Sequence, residues 1–295
     1  MAELLLDGKD LLAKTDTFIF DCDGVIWKGE SVINGVPDVL KSLRELGKRV
    51  FFVTNNSTKS RIGYLQKFLS LGIQVDAEEI FSSSFAAAAH FEQQPLPPGK
   101  KAYVIGHQGL CDELSLLGIP FIGGPSDDDK KPEFSKGKSM EHDPEVGAVV
   151  VGFDANINYY KIQYAQLCLS ENKDCRFIAT NLDSVAHLTA DQEWAEAGAM
   201  VGAIKGCTGL EPVLVGKPSP LLVDYIAGKH GLDRARMCMV GDRLDTDIVF
   251  GQSNGLQTVL TLSGVTSEET LLSDANKTIP QYYVHSIKDF FPHIE

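Results

Sequence analysis

The sequence of 295 residues has no apolar run near the roughly 18 residues that a membrane-spanning helix needs, which excludes that class of protein. Its six cysteines include no C-x-x-C pair, so we expect reduced thiols in a reducing compartment. Lysine and arginine number only 27 against 40 aspartates and glutamates, giving a net charge of −13. Because an acidic surface repels polyanions, neither nucleic acid nor an anionic membrane is expected as a partner.

Other absences concern targeting and repetition. Residues 1–16 have neither the basic start of a secretory signal nor the acid-poor composition of a transit peptide, so no targeting segment is expected within them. There is no internal repeat and no low-complexity tract. The hydrophobic fraction of 43% and the charged fraction of 23% are those of a globular protein. The length favours roughly two domains.

Short apolar runs typical of buried strands alternate with helical patterns along most of the chain, which predicts an α/β fold with doubly wound parallel sheets. Gln93–Lys101, with three prolines and a glycine, is typical of a linker, and Cys207–Pro212 is a second candidate boundary. We therefore expect a Rossmann-like core made of residues 1–95 and 211–295. A second α/β domain, residues 96–210, is expected to be inserted into it. The polar stretch Gly123–Asp143 is expected to be a surface loop.

Two polar segments follow predicted strands of the first half. Asp21 and Asp23 come directly after an apolar strand, and their spacing of two places both carboxylates on one side of an extended chain. Such a pair suits a nucleophile and a proton carrier, although acidic turn residues at a strand end are the ordinary alternative. Thr54, Asn55 and Asn56 follow the strand RVFFV. They can donate to phosphoryl oxygens, or they can simply cap the helix that follows.

Two more segments follow predicted strands of the last third. Lys217 lies between glycine and proline after VLV, where a fixed cation can neutralise a phosphoryl group; a solvated surface lysine is the alternative. Asp242 follows MCMV and is placed as a metal ligand, and Asp247 is placed to orient the site from the next helix, although helix capping also explains it. Oxygen ligands without a His/Cys cluster favour Mg²⁺ over Zn²⁺. Ligands of open parallel sheets bind at these carboxyl ends of strands, so the four segments predict one site.

The motifs DCDGVI, GKP and GDRLDTDI resemble those of the phosphatases of the haloacid dehalogenase (HAD) superfamily. The longer segments FDCDGVIWKGE, FFVTNNSTKSR and GFDANINYYK are similar to the phosphoglycolate and pyridoxal phosphatases with a large α/β cap. The segments GAVVVGFDANINYYKIQYAQLCL and IATNLDSVAHLTADQEW most resemble the plant and algal phosphoglycolate phosphatases. The resemblance implies a Mg²⁺-dependent phosphatase that hydrolyses 2-phosphoglycolate through an aspartyl-phosphate, in photorespiratory carbon salvage. It also implies a homodimer joined through the cap, in the chloroplast stroma (with a transit peptide outside this sequence) or the cytoplasm.

The resemblance also implies roles for individual residues. Those expected to act in catalysis are Asp21, Asp23 and Lys217; the Mg²⁺ ligands are Asp21, the carbonyl of Asp23 and Asp242, supported by Asp247; the phosphate ligands are Thr54, Asn55 and Asn56. Asn181–Trp194 corresponds to the substrate-specificity loop of the group, and His187 within it is expected to contact the substrate, with a structural surface histidine as the alternative. Leu182 stands where related pyridoxal phosphatases often carry arginine, which disfavours pyridoxal phosphate.

Three alternative functions remain open at this point. Within the enzyme class, the protein could act on pyridoxal phosphate or on a broad range of small phosphomonoesters. A phospho-accepting signalling module also gathers aspartate, threonine and lysine at strand ends, but it is much shorter and has no inserted domain. A catalytically inactive phosphate-binding scaffold is the third alternative, which the retained chemical groups do not favour.

Overall fold

The computed structural model describes residues 2–189 and 192–291. The strands are β1 (Glu3–Leu4), β2 (Thr17–Phe20), β3 (Trp27–Lys28), β4 (Ser31–Val32), β5 (Arg49–Thr54), β6 (Ile80–Ser82), β7 (Lys101–Ile105), β8 (Phe121–Gly123), β9 (Val146–Val151), β10 (Arg176–Ala179), β11 (Val185–Thr189), β12 (Gln192–Ala195), β13 (Val213–Leu214), β14 (Met237–Gly241), β15 (Gln257–Thr261) and β16 (Tyr282–Val284). The helices are α1 (Lys9–Lys14), α2 (Val36–Glu45), α3 (Arg61–Ser70), α4 (Ser83–Gln93), α5 (Gln108–Leu116), α6 (Tyr159–Glu171), α7 (Ala197–Thr208), α8 (Leu221–His230), α9 (Val249–Ser253) and α10 (Glu268–Leu272).

The chain forms two compact units. Unit 1 comprises Met1–Thr54, Leu65–Phe81 and Lys217–Glu295, and unit 2 comprises Asn55–Tyr64 and Ser82–Gly216. Each unit has its own parallel sheet, so the predicted α/β class with parallel sheets is confirmed. The expected domain bounds at residues 95/96 and 210/211 stay a prediction.

Unit 1 is built on a seven-stranded sheet with the strand order β1-β16-β15-β14-β2-β5-β6, parallel from β1 through β5. The strands at its centre are apolar and buried on both faces, as expected for a sheet covered by helices on each side. Helix α2 buries Val36, Val39, Leu40 and Leu43, a spacing that forms one apolar face. Because β14 pairs directly with β2, residues from the two ends of the chain meet at the middle of the sheet.

Unit 2 contains a five-stranded parallel sheet with the order β13-β10-β9-β7-β8. Strand β9 lies at its centre with all six residues buried, and α6 and α7 contribute to the same apolar cluster through Ala165, Cys168, Val201 and Ile204. A separate antiparallel hairpin, β11 and β12, follows β10. The sequence predicted Val213–Val215 as a strand of the core; Val213–Leu214 instead pairs with β10 in this sheet.

The strands predicted before the four polar segments are confirmed as β2, β5, β13 and β14, whereas the helix expected after Asp242 does not begin directly. There, residues Leu244–Ile248 form a π-helical turn before α9 begins. The hairpins β3–β4 and β11–β12 and the strands β1 and β6 were not predicted. Among the described residues, no helix combines the length and the apolar composition required to cross a membrane.

Candidate active site

The strands β2 and β14 end side by side in unit 1, and their carboxyl ends carry the predicted acidic residues. Asp21 directly follows β2, and Asp242 directly follows β14. Both side chains are buried, with 7% and 2% of their residue surface exposed. Carboxylates are buried to this degree only when other groups compensate their charge.

Lys217 supplies part of that compensation. Its Nζ lies 2.7 Å from Asp21 Oδ1 and 2.7 Å from Asp247 Oδ1, and it donates to the carbonyl of Val53 at 2.9 Å. Lys217 is itself only 2% exposed. The alternative of a solvated surface lysine is therefore wrong. The ammonium of Lys217 thus fixes one oxygen of Asp21 and, through the Val53 carbonyl, connects the end of β5 to the end of β2.

Asp247 braces the turn after β14. Its Oδ2 accepts the main-chain N–H of Asp242 at 3.1 Å and that of Arg243 at 3.0 Å, while its Oδ1 faces Lys217. The π-helical turn directs this side chain back to the strand end, a local geometry that recurs at functional sites. A Cβ on Gly241 would lie 2.2 Å from Asp247 Cβ, so only glycine fits there.

Asp242 is held on one oxygen only. Its Oδ2 accepts the main-chain N–H of Val265 at 2.7 Å, whereas Oδ1 is buried and has no hydrogen-bond partner in the described part of the chain. Gly24 approaches the same carboxylate: its φ is +80°, and a Cβ there would lie 2.4 Å from Asp242 Oδ2. A buried carboxylate oxygen without a donor is unfavourable unless a cation binds it.

The pKa values reflect this crowding of negative charge. Burial raises the pKa of Asp21 well above its usual range, and the neighbouring Asp247 and Asp242 add to the rise while Lys217 opposes it. Burial, followed by the charge of Asp247, raises the pKa of Asp242 to about 7. Burial lowers the pKa of Lys217, but Asp21 and Asp247 outweigh it and the net pKa is raised, so the ammonium is permanently charged.

The acidic cluster fits a divalent cation. One carboxylate oxygen from each of Asp21, Asp242 and Asp247 lies within 4.8 Å of the others. These are hard oxygen ligands of the kind that Mg²⁺ and Ca²⁺ bind. The unpartnered Oδ1 of Asp242 is available to a cation, whereas both oxygens of Asp247 already accept hydrogen bonds. A cation here would also relieve the repulsion that raises the carboxylate pKa values.

Asp23 lies two residues beyond Asp21 and is positioned by an aromatic residue. The indole N–H of Trp27 donates to Asp23 Oδ1 at 2.8 Å. Trp27 is fully buried and packs edge-on against Phe68, with ring centroids 4.7 Å apart. Nothing in the sequence around this tryptophan predicts its hydrogen bond to a candidate catalytic carboxylate. Cys22, between the two aspartates, is a buried thiol whose pKa is raised by burial and by both neighbouring charges.

The remaining predicted residues divide between the two units. Thr54 is the buried last residue of β5 in unit 1, and Asn55 and Asn56 begin unit 2. Asn56 Oδ1 accepts from both the N–H and the hydroxyl of Thr58, which forms a turn before α3 begins at Arg61. His187 belongs to β11, and its side chain lies outside the described part of the structure.

Two sets of contacts, one within each unit, were not found from the sequence. The loop after β15 brings the N–H of Val265 to Asp242, and the Ser263 hydroxyl donates to the carbonyl of Gly24 at 2.6 Å. In unit 2, Asp183 accepts from the side-chain amide of Asn55 at 3.2 and 3.3 Å. The segment NLDSVAHLTADQEW was singled out for its loop, but neither its Asp183 nor the serine after β15 carries a pattern that predicts these contacts.

Comparisons with known proteins agree with this geometry. Two family models match, haloacid dehalogenase-like hydrolase over residues 18–120 and HAD-hydrolase-like over residues 214–290. The chain is 56% identical to the chloroplastic phosphoglycolate phosphatase 1A of Arabidopsis thaliana, over 98% of this chain and 80% of the relative. It is 53% identical to phosphoglycolate phosphatase 2 of the same plant, covering 100% of this chain and 99% of the relative.

A solved structure is similar to the whole architecture. Glycerol phosphate phosphatase from Mycobacterium tuberculosis in complex with magnesium superposes with a TM-score of 0.79 at 25% identity, covering 95% of this chain and 77% of that one. The same protein has been crystallised in complex with calcium, and that structure gives a TM-score of 0.78. A similar phosphatase therefore binds divalent cations, in agreement with the oxygen ligands gathered at the ends of β2 and β14.

Proposed function

Because the chain belongs to the haloacid dehalogenase-like hydrolases, we propose that it is a phosphatase that hydrolyses 2-phosphoglycolate to glycolate and phosphate. The observation that carries the proposal is the buried charged cluster of Asp21, Lys217, Asp242 and Asp247. Apolar residues would stabilise the fold better at these positions, so the cluster indicates a chemical role. The names of the two plant relatives support the substrate.

Asp21 is the nucleophile of the proposed reaction. Lys217 holds Oδ1 at 2.7 Å, which fixes the carboxylate at the strand end. A carboxylate oxygen of Asp21 attacks phosphorus in line, and the bond between phosphorus and the ester oxygen breaks as the aspartyl-phosphate forms. Positioning and charge stabilisation are the main sources of rate enhancement in such a transfer.

Asp23 carries the proton in both halves of the reaction. It gives a proton to the departing glycolate oxygen, then accepts one from the water that attacks the phosphorus of the aspartyl-phosphate and releases Asp21. The indole of Trp27 fixes the orientation of the Asp23 carboxylate through its 2.8 Å hydrogen bond. Proton transfer requires this orientation because a general acid acts only within hydrogen-bond reach.

The divalent cation of the proposed enzyme is Mg²⁺, held by Asp21, the main-chain carbonyl of Asp23 and Asp242, with Asp247 orienting the turn that carries Asp242. When bound, it supplies positive charge that offsets the repulsion between the anionic nucleophile and the anionic phosphate. Lys217 adds a second fixed positive charge close to Asp21.

The phosphoryl oxygens are bound by Thr54 and by Asn55, which follows it in the chain, with Asn56 as a further ligand. His187 of β11 contacts the carboxylate end of 2-phosphoglycolate, since an imidazole can donate to a small carboxylate. We also propose a homodimer joined through the inserted domain. The chloroplast stroma, with a role in photorespiratory carbon salvage, is the proposed location, with the cytoplasm as the alternative; the name of one relative supports the first.

The test is phosphate release from 2-phosphoglycolate, pyridoxal phosphate, glycerol 3-phosphate and a nucleoside monophosphate, each with and without Mg²⁺. We expect Mg²⁺-dependent hydrolysis with a strong preference for 2-phosphoglycolate, and no turnover by Asp21→Asn. Equal rates on all four esters would leave the reaction but refute the specificity. Activity unchanged in Asp21→Asn would refute the nucleophile. A folded protein inactive on every ester would refute the enzyme and favour the scaffold.

A further inference from the structure

Asn55 is held by the segment that precedes β11 and by the first residue of α4. The side-chain amide of Asn181 donates to the carbonyl of Asn55 at 2.8 Å, and the hydroxyl of Ser83 donates to the same carbonyl at 2.5 Å. The Asn55 amide nitrogen in turn donates to both oxygens of Asp183, at 3.2 and 3.3 Å. All four residues belong to unit 2, and Asn55, Ser83 and Asn181 are buried.

Asp183 is itself fixed by its neighbours. Its N–H donates to Asn181 Oδ1 at 2.9 Å, and its carbonyl accepts the N–H of Gly198 at the start of α7 at 2.9 Å. A Cβ on Gly198 would lie 2.8 Å from that carbonyl, so glycine permits the close approach. The carboxylate of Asp183 is thus presented to Asn55 from a rigid turn, although it lies next to the β11–β12 hairpin.

The chemistry of a carboxylate decides how the Asn55 amide is oriented. An ionised carboxylate only accepts hydrogen bonds, so the end of the Asn55 carboxamide that faces Asp183 is its NH₂ group. The other end of the carboxamide, Asn55 Oδ1, then faces Gly216. A Cβ on Gly216 would lie only 2.7 Å from this oxygen. Asp183 and Gly216 therefore fix both ends of the Asn55 amide. They also fix the direction of the second N–H bond of Nδ2.

We propose that Asp183 is a positioning residue: it orients the carboxamide of Asn55 for binding the phosphoryl group of the substrate. The inference rests on the proposed function, because it takes Asn55 as a phosphate ligand. It assigns the first residues of the predicted specificity segment to phosphate binding, which all substrates share, and leaves substrate choice to the hairpin that follows.

A role of Asp183 in phosphate binding and a role in substrate specificity predict different kinetics for Asp183→Ala. If Asp183 acts through Asn55, kcat/KM falls by the same factor for 2-phosphoglycolate and for 4-nitrophenyl phosphate, since both esters carry the same phosphoryl group. We expect a loss of about tenfold, equivalent to about 1.4 kcal/mol, as for one hydrogen bond to a charged group. If Asp183 only shapes the specificity hairpin, 2-phosphoglycolate is affected and 4-nitrophenyl phosphate is not.

A double-mutant cycle isolates the pair. In the Asn55→Ala background, Asp183→Ala is expected to cause little further loss, because the group that it orients is gone. Asp183→Asn keeps an acceptor oxygen and is expected to retain most of the activity. The control is Asp112→Ala, which removes a similar amide–carboxylate hydrogen bond, from Gln108 in α5 at 2.8 Å, and is expected to leave both substrates unaffected.

Binding of inorganic phosphate gives a readout that needs no turnover. The rise in Tm on adding phosphate with Mg²⁺ should shrink in Asp183→Ala and in Asn55→Ala to the same extent, and be unchanged in Asp112→Ala. Losses that multiply in the double variant, a substrate-selective effect, or an undiminished phosphate response would each overturn the role of Asp183. A wild-type protein that hydrolyses no ester but shows this pattern of phosphate binding would refute the proposed function and still support the positioning role.

Discussion

Asp242→Asn is expected to stabilise the protein in the absence of metal while removing its response to Mg²⁺. In the metal-free protein the Asp242 carboxylate is buried beside Asp247, and its Oδ1 has no hydrogen-bond donor among the described residues. Asparagine has nearly the same shape, and its side-chain oxygen can still accept the N–H of Val265. The substitution therefore removes a buried charge and keeps the packing.

The magnitude follows from the pKa of Asp242. Burial and Asp247 raise it from the ordinary value of 3.8 to about 7 in the folded protein. An interval of this size corresponds to about 4 kcal/mol of destabilisation once the group is ionised in both states. Because the folded-state pKa is the higher one, the penalty is complete above about pH 7, shrinks as the pH falls below it, and has vanished near pH 4.

The assay is calorimetric unfolding of chelator-treated protein between pH 5 and pH 8, with and without Mg²⁺. At roughly 2–4 °C per kcal/mol, metal-free Asp242→Asn should melt roughly 8 °C or more above the wild type at pH 8, and the gap should close toward pH 5. Saturating Mg²⁺ should raise the Tm of the wild type by about as much, since about 2.7 kcal/mol is gained at a hundredfold excess over Kd, and leave the variant nearly unchanged.

Asp245→Asn is the matched control, because this aspartate lies three residues further on and its side chain is 70% exposed. It should change neither the pH profile nor the response to Mg²⁺. The reasoning is refuted if metal-free Asp242→Asn is no more stable than the wild type at pH 8, or if its advantage persists unchanged at pH 5.

Three further outcomes are expected. Asp23→Asn should accumulate the aspartyl-phosphate, seen as acid-stable label from substrate carrying labelled phosphate; normal turnover would contradict the assignment of Asp23. Lys161→Met should cost about 3–5 kcal/mol, read from a lower Tm of unit 2, because it leaves two carboxylates at 2.6 and 2.7 Å from the buried ammonium without their partner; an unchanged Tm would contradict this. The pKa of His90 is lowered, chiefly by burial, so the protein should lose stability as the pH falls below about 6.5, where the unfolded chain takes up a proton first. His90→Gln should flatten that profile, and His285→Gln, which removes an exposed imidazole, should not.

The central strands and the residues at their ends could be predicted from the sequence for a physical reason. A strand buried on both faces of a parallel sheet is a short, continuous apolar run, and β2, β5 and β14 are all of this kind. Ligands of such sheets gather at carboxyl ends, so polar residues directly after the runs pointed to Asp21 and Asp242. The same argument pointed to Lys217, which follows a predicted strand and lies beside Asp21 although the two residues are 196 positions apart.

The parts that were missed depend on contacts between distant segments. The hairpins β3–β4 and β11–β12 are short and antiparallel, and so few residues give no clear alternation. Strand β13 was assigned to the wrong sheet because its two residues gain their pairing only from β10. The hydrogen bond from Trp27 to Asp23 could not be predicted, because a buried tryptophan gives the same apolar pattern whether or not its indole N–H has a partner.

The pairing of β14 with β2 has a consequence for how the protein is made. Unit 2 is complete once the ribosome has passed residue 216, whereas unit 1 then still lacks β14, β15 and β16. Its sheet can be completed only after β14 has been synthesised and has paired with β2, because β15 then pairs with β14. The nascent protein therefore carries a finished inserted unit but no assembled acidic cluster. Premature termination before Asp242 yields a chain without the complete acidic cluster, whatever else it has folded.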